Sequence, residues 1–491
     1  MASMFLSSST SRIQRWLCDS PDTVSPRRPP SLSESLAAAP PRLVKRRRDT
    51  SPCDMEDSSS RGSSPGKRRR QNNDNLSMQS ISQSGSIAVS DRTVLTAPAS
   101  AKRSTSPSRY LTQLRTARPP ISLSPITMPP PLPDKVKIRL GKLRRRLGDT
   151  VKGAYIPAGL KKAIEQDPEF HLSLSMEPID PEAFDYDDKR TLADFSLAYT
   201  IQQVKSIFRD ATLCTQFGRD ENAWCFGVVW PLIELAIKLH GKDKWRPESV
   251  QSQTINPLYL SRISDPSTPT KERPLFRKTD FCFSYSYLDP HFRAFYDQLD
   301  KVQSTHASHT TDNFTARSIL FSGIEVKPEN GDQKEAELQM SIWMAASLRK
   351  KMELVRKAFP TTSVSETDIT SDSGVGYNAN EQTIEDPIAP LPPSPTALLE
   401  PALTVIGHEH KVYYACISSA VEDGNIAILG PDEKFTNLST RSVQGIFKLI
   451  KFYAGILDYG YGADRESEHK GKEELWGEYI GRIARAVSAM V

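Results

Sequence analysis

The chain has 491 residues, 37 of them proline, with 37% hydrophobic content, a formal net charge of +5 and a mean hydropathy of -0.47. That balance predicts that part of the chain does not fold, because too little apolar surface is available there to offset chain entropy. Six cysteines, Cys18, Cys53, Cys214, Cys225, Cys282 and Cys416, form no C-x-x-C pair, which argues against a disulfide framework and a zinc finger, and no apolar run is read as approaching the ~20 residues of a membrane span.

Residues 1–134 hold 17 of the 37 prolines and 20 Lys and Arg against 10 Asp and Glu, and are expected to be a disordered Ser/Pro/Arg-rich region. Two basic clusters lie in it, Lys45, Arg46, Arg47 and Arg48, and Lys67, Arg68, Arg69 and Arg70. Exposed runs of this kind are either nuclear localisation signals read by importin or an unspecific basic tail. Ser-Pro pairs at Ser51, Ser64 and Ser106 offer phosphorylation sites that would reduce the positive charge. Residues 1–16 carry only a faint transit-peptide character, so the nucleus ranks above the mitochondrion.

Residues 135–189 read as a basic lead-in segment. Its Arg144, Arg145 and Arg146 run is a candidate nucleic-acid contact, because phosphate affinity comes mainly from Lys and Arg that displace counterions. Residues 135–491 together carry 44 basic against 49 acidic side chains, so attraction for DNA is expected from the front and this run.

Next comes a long apolar helix over 220–239. Glu221, Trp224 and Val228 share one stripe of it, and Pro231 is expected to kink or break it. Residues 277–287 (RKTDFCFSYSY) alternate as a strand, with Asp280, Cys282 and Ser284 on the polar side. Residues 289–314 read as an inserted loop after a short amphipathic piece.

Residues 318–328 (SILFSGIEVKP) are a second strand that ends at a proline and places Glu325 and Lys327 two residues apart on one face. The acid-x-Lys spacing recurs at Asp187, Asp332, Glu409, Asp432 and Glu468, so context rather than spacing singles out Glu325. Two carboxylates brought close repel unless a cation lies between them, and Mg²⁺ takes one or two carboxylates plus water and phosphate oxygens. The bland alternative is two solvated strand-end acids with a lysine paired to one of them.

A strong helix follows over 334–358, with Gln339, Trp343 and Ala346 on one face. Residues 361–400 read as a flexible insertion, 408–418 and 425–431 as two strands, 439–457 as an amphipathic helix, and 461–491 as a C-terminal helix. His408 and His410 share a strand face as either metal ligands or solvated edge residues.

In this order, helix with Glu221, strand with Asp280, strand with Glu325 and Lys327, then helix with Gln339 and Trp343, the chain resembles the PD-(D/E)XK nuclease superfamily. More narrowly it is similar to the nuclease-like domain found widely in fungal proteins, with the pieces E-x-x-W, a strand Asp, E-x-K and Q-x-x-x-W. The resemblance covers residues 190–460. It implies an α/β, restriction-endonuclease-like mixed central sheet flanked by helices. It also implies that Asp280 and Glu325 bind Mg²⁺ (or Mn²⁺), that Lys327 orients the attacking water or stabilises charge, and that Glu221 and Gln339 support the site. Thr279 stands where the superfamily name has proline. Three functions follow as candidates: a nuclear metal-dependent DNA nuclease, a nuclease fold kept for binding or scaffolding, and a regulatory protein acting through its basic front.

Overall fold

The computed structural model describes residues 106–461 apart from 192, 266–267, 302–305, 359–397 and 419–423. Seven strands form its central sheet: β1 (Ile121–Ser124), β2 (Trp245–Ser249), β3 (Phe281–Tyr285), β4 (Leu320–Lys327), β5 (Leu399–Ile406), β6 (Glu409–Ile417) and β7 (Ile426–Leu429). Their spatial order is β1-β7-β6-β5-β4-β3-β2. The β1/β7 and β4/β5 pairs are parallel and the others antiparallel, which makes the sheet mixed.

Helices α1 (Pro107–Thr116), α2 (Asp134–Thr150), α3 (Phe195–Gln216), α4 (Glu221–Gly241), α5 (Pro290–Lys301), α6 (Gln333–Ala358) and α7 (Val443–Tyr461) surround it. The faces divide cleanly: α6 and α1 cover one, while α2, α3, α4 and α7 pack together on the other. Because both faces are covered, β3 and β4 are buried along their whole length. The "polar side" expected for β3 is therefore internal too, with Cys282 and Ser284 as buried as Phe281 and Phe283.

Several expectations are corrected. Residues 107–134 do not lie outside the fold: α1 packs on α6, and β1 completes the sheet edge beside β7. Periodicity gave no warning, because β1 is four residues long between prolines and takes its ladder hydrogen bonds from β7, a strand about 300 residues away. The basic lead-in is likewise part of the body, since α2 buries Val136, Leu140, Leu143 and Leu147. The short amphipathic piece expected at the start of 289–314 is the helix α5, which is tied to the sheet, its Phe292 ring stacking 4.2 Å from that of Tyr285. Strand β5 lies partly inside the expected 361–400 insertion, and its buried Leu399 and Glu400 face the core. Residues 361–397 of that insertion, the two basic clusters and the C-terminal helix expected beyond residue 461 lie outside the described residues.

α4 passes through Pro231 without breaking. Trp224–Val229 widens to π-type hydrogen bonding just before Pro231, where the missing N–H would otherwise interrupt the ladder. Contrary to expectation, α4 is long and apolar enough to cross a membrane by length and composition, yet half of that window is buried within the fold. Its apolar stripe packs on α3 and α7.

Candidate active site

The site forms where β3 begins and β4 ends. Between these antiparallel strands the register runs Phe283 to Phe321, then Cys282 to Gly323, then Phe281 to Ile324, so Ser322 is an extra residue bulged out of β4. Extending the register one step sets Asp280 opposite Glu325. Without the extra residue Asp280 would face Ile324 and the two carboxylates would lie on opposite sides of the sheet, since strand side chains alternate.

The bulge has its own support. Ser322 adopts a left-handed φ of 56°, and its N–H donates to Glu400 Oε2 at 3.3 Å. Glu400, wholly buried, pairs with Lys351 of α6, whose ammonium also donates to the Leu320 carbonyl at 2.7 Å. At Gly323 a Cβ would come within 2.9 Å of Trp343 Cδ1, so glycine is what lets α6 approach.

Around the acids the geometry is tight. Lys327 Nζ lies 2.9 Å from Glu221 Oε2 and 3.0 Å from Glu325 Oε1, joining the start of α4 to the end of β4. The N-cap carboxylate of Asp220 accepts from the Ala223 N–H at 3.1 Å, which fixes the turn presenting Glu221. Asp280 Oδ2 accepts the Val326 N–H at 2.7 Å and Oδ1 accepts from Gln251 Nε2 at 2.8 Å. Gln339 is more distant, its amide donating to the Lys278 carbonyl at 3.4 Å just before Asp280.

Asp280, Glu325 and Lys327 are all buried, which excludes the reading of solvated strand-end acids. Burial, relieved in part by Lys327, raises the Asp280 carboxyl to about 6. Burial and then the Asp280 charge push Glu325 well above the ordinary carboxylate range. Burial opposes the Lys327 charge, but Glu325, Glu221 and Asp280 more than offset it and raise the ammonium above the usual lysine value. Three carboxylates thus surround one ammonium, and Glu325 Oε2 is buried with no hydrogen-bond partner. A surplus of negative charge in a dry setting, with an orphaned oxygen, is an environment that favours a further cation.

The sequence of the chain matches the family model of the PD-(D/E)XK nuclease superfamily over residues 169–460. The chain belongs to that superfamily. In this PD-(D/E)XK nuclease-superfamily chain, an E-x-K sequence, Glu325 to Lys327, ends β4, and Asp280 stands across from it. No curated protein and no solved structure matches the chain.

Superfamily membership implies a divalent metal, and the donors fit one in kind: two buried carboxylates of a hard-cation type, one with an unsatisfied oxygen. Among the described residues no group of three or more His, Cys, Asp or Glu forms a metal-holding set. A divalent cation placed between Asp280 and Glu325 would find two carboxylate donors there and would need water or phosphate oxygens to complete its shell.

Other candidates are placed differently. Arg144 does not face solvent freely: its guanidinium makes a two-pronged pair with buried Asp432, at 2.7 and 2.9 Å, while Arg145 is exposed and Arg146 half-buried. His408 and His410 are neither solvated nor clustered with metal ligands. His408 sits between the Thr215 and Thr440 hydroxyls at 2.7 and 2.9 Å with Trp224 edge-on, and His410 meets the Tyr453 hydroxyl at 3.1 Å. Trp224 of the E-x-x-W piece is thereby the wedge that seats the first turns of α4. Gln251 was missed, since nothing in the polar turn QSQ marks it. The bulge did leave a trace: the apolar positions change phase from Ile319 and Phe321 to Ile324 and Val326.

Proposed function

We propose that this chain is a metal-dependent nuclease hydrolysing the phosphodiester bonds of DNA, with Asp280 and Glu325 holding Mg²⁺ (or Mn²⁺) and Lys327 assisting. The observation that carries the reading is the buried Glu325 oxygen without a partner, set among three carboxylates and one ammonium. When bound, such a metal polarises a phosphoryl oxygen and lowers the pKa of its water from ~15.7 toward neutrality.

The chain's own residues supply the rest. Lys327 carries a permanent positive charge that offsets the negative charge growing on the phosphoryl oxygens in the transition state. Glu221 holds that ammonium in place at 2.9 Å. The Val326 N–H and Gln251 fix the Asp280 carboxylate from two sides, and Gln339 steadies the entry to β3 through the Lys278 carbonyl. No covalent nucleophile is required. The basic front and exposed Arg145 supply electrostatic attraction for DNA, and the clusters at Lys45 and Lys67 bind importin and direct the chain to the nucleus.

A second reading, a nuclease fold kept for DNA binding or scaffolding without turnover, is favoured by the engagement of both Asp280 oxygens and of Lys327 within the protein. Plasmid cleavage decides between them. The full chain is expected to nick DNA in Mg²⁺ or Mn²⁺ and not in chelator, while Asp280→Asn and Lys327→Met, each checked for native circular dichroism, do not. Equal cleavage by the variants, or none by the wild type, removes the enzyme reading. DNA retention by an inactive wild type, lost on deleting residues 1–105, establishes the scaffold.

A further inference from the structure

Of the Ser-Pro pairs in the chain, the one at Ser106 stands against the folded body. Ser106 is exposed and precedes α1, with Pro107 as the first helical residue. A serine in this position commonly caps the helix with its hydroxyl, but here the hydroxyl makes no capping bond. The helix it opens is anchored, since Leu114 is buried and α1 packs on α6.

Three arginines gather around the first turns of α1. Arg109, three residues on, is exposed, and its N–H and that of Tyr110 bond back to the Ser106 carbonyl at 3.0 and 3.2 Å. Residues three and four apart share a helix face, and helical side chains lean toward the N-terminus, so the Tyr110 ring leans over the turn that Ser106 opens. Over that ring lie the guanidinium groups of Arg273 and Arg277, 5.9 and 5.1 Å from its centroid. Both come from distant chain: Arg273 is near the end of the strand Thr268–Pro274, and Arg277 is three residues before Asp280.

None of these three arginines forms an ion pair among the described residues. Arg277 donates to the carbonyl of its own neighbour Phe276 at 2.8 Å. Glu272, adjacent to Arg273, lies on the opposite face of their strand and is paired with Arg118 at 4.0 Å. Cations brought together in this way favour an anion among them. The chain carries the means to supply one, because the serine on the same turn is an accessible hydroxyl before a proline.

We propose that Ser106 is a phosphorylation site whose phosphate docks on Arg109, Arg273 and Arg277, fastening the start of α1 to the segment that leads into Asp280. A kinase that recognises serine before proline supplies the group from ATP. The Ser106 Oγ–P bond forms as the bond between the γ-phosphorus and its bridging oxygen breaks, ADP leaves, and the hydroxyl proton passes to the kinase's base. The product carries about −1.5 to −2 charge at pH 7, and the planar guanidinium fork matches its oxygens in pairs. At Ser106 the modification therefore does more than lower the net positive charge: it joins two segments far apart in the chain. The site does not depend on the nuclease reading.

The test uses the full chain in chelator, with phosphoserine encoded at position 106 alone. Phosphorus NMR follows its second ionisation, which lies at about 6 in a solvated setting. In the folded chain that ionisation is expected at least about half a unit lower than in the same chain in urea, because neighbouring cations favour the dianion. The amides of α1 are expected to exchange at least about threefold more slowly than in the unmodified chain. In Arg273→Gln/Arg277→Gln, with modified and unmodified chains compared within the variant, both differences are expected to fall to under half, whatever the substitutions themselves do to stability. Asp280→Asn is expected to retain both in full, which keeps this result separate from failure of the active-site reading. Treatment of the unmodified chain with a proline-directed kinase and ATP is expected to label Ser106 by mass spectrometry. An ionisation that is the same in folded and urea-treated chains, unchanged α1 exchange, more than half of the shift surviving in the double variant, or labelling of Ser51 and Ser64 without Ser106 overturns the proposal.

Discussion

Asp280 stands across from Glu325 because Ser322 is bulged out of β4, and the bulge holds because Glu400 accepts the freed Ser322 N–H. A carboxylate in the neighbouring strand thus sets the side of the sheet on which the acids meet. Glu400→Gln leaves Lys351 buried without its counter-charge, and is expected to cost ~3–5 kcal/mol by urea denaturation. Stability within 1 kcal/mol of wild type would mean that the pair does not hold the bulge.

Gly323→Ala probes the same strand from the side of α6. The added methyl would meet the fully buried Trp343 at 2.9 Å and Met344 Sδ at 3.1 Å, and only the methionine can yield readily. A loss of ~1–3 kcal/mol is expected, with a shifted Trp343 fluorescence. An unchanged spectrum and melting temperature would contradict the close approach.

The Asp280 carboxyl gives a pH test with a defined sign. Its value of about 6 in the fold exceeds the ordinary 3.8, chiefly through burial. The folded state therefore holds this proton more tightly than the unfolded chain does. The stabilisation is full at acid pH and is lost as pH rises through about 6. In chelator, Asp280→Asn should gain on wild type by ~1–3 kcal/mol between pH 4 and 7. A pH-independent difference would place the carboxyl in a solvated setting.

Divalent metal should act on the same surplus of charge. Mg²⁺ is expected to raise the melting temperature of the wild type at pH 8 and to leave that of Asp280→Asn nearly unmoved. An equal rise in both would put the metal elsewhere.

Arg144 separates anchoring from nucleic-acid contact. Arg144→Ala leaves the buried Asp432 carboxylate with only the Tyr414 hydroxyl and the Lys434 N–H, at 2.9 and 3.2 Å. It is expected to cost ~1–3 kcal/mol, whereas Arg145→Ala stays within ~0.5 kcal/mol of wild type. If Arg144→Ala weakens DNA binding without any loss of stability, Arg144 is a DNA contact instead.

The sequence by itself determined the elements that carry strong local periodicity: α4, α6, α7, the core of β3 and β4, and the order in which Glu221, Asp280, Glu325, Lys327 and Gln339 occur along the chain. A single strand or helix encodes its faces in residues a few positions apart, so those features are legible without partners. Tertiary structure alone decided what depends on distant chain. It recruited β1 and β2 to the sheet, turned Glu400 from a linker residue into a core ion, tied Arg144 to Asp432, brought Gln251 to Asp280, and used the phase change at Ser322 to put both acids on one face. The physical reason is the same in each case: cross-strand register and the burial of charge are settled by the groups that pack around a residue, and of these features only the bulge left a mark in the neighbouring sequence, as the change of apolar phase across Ser322.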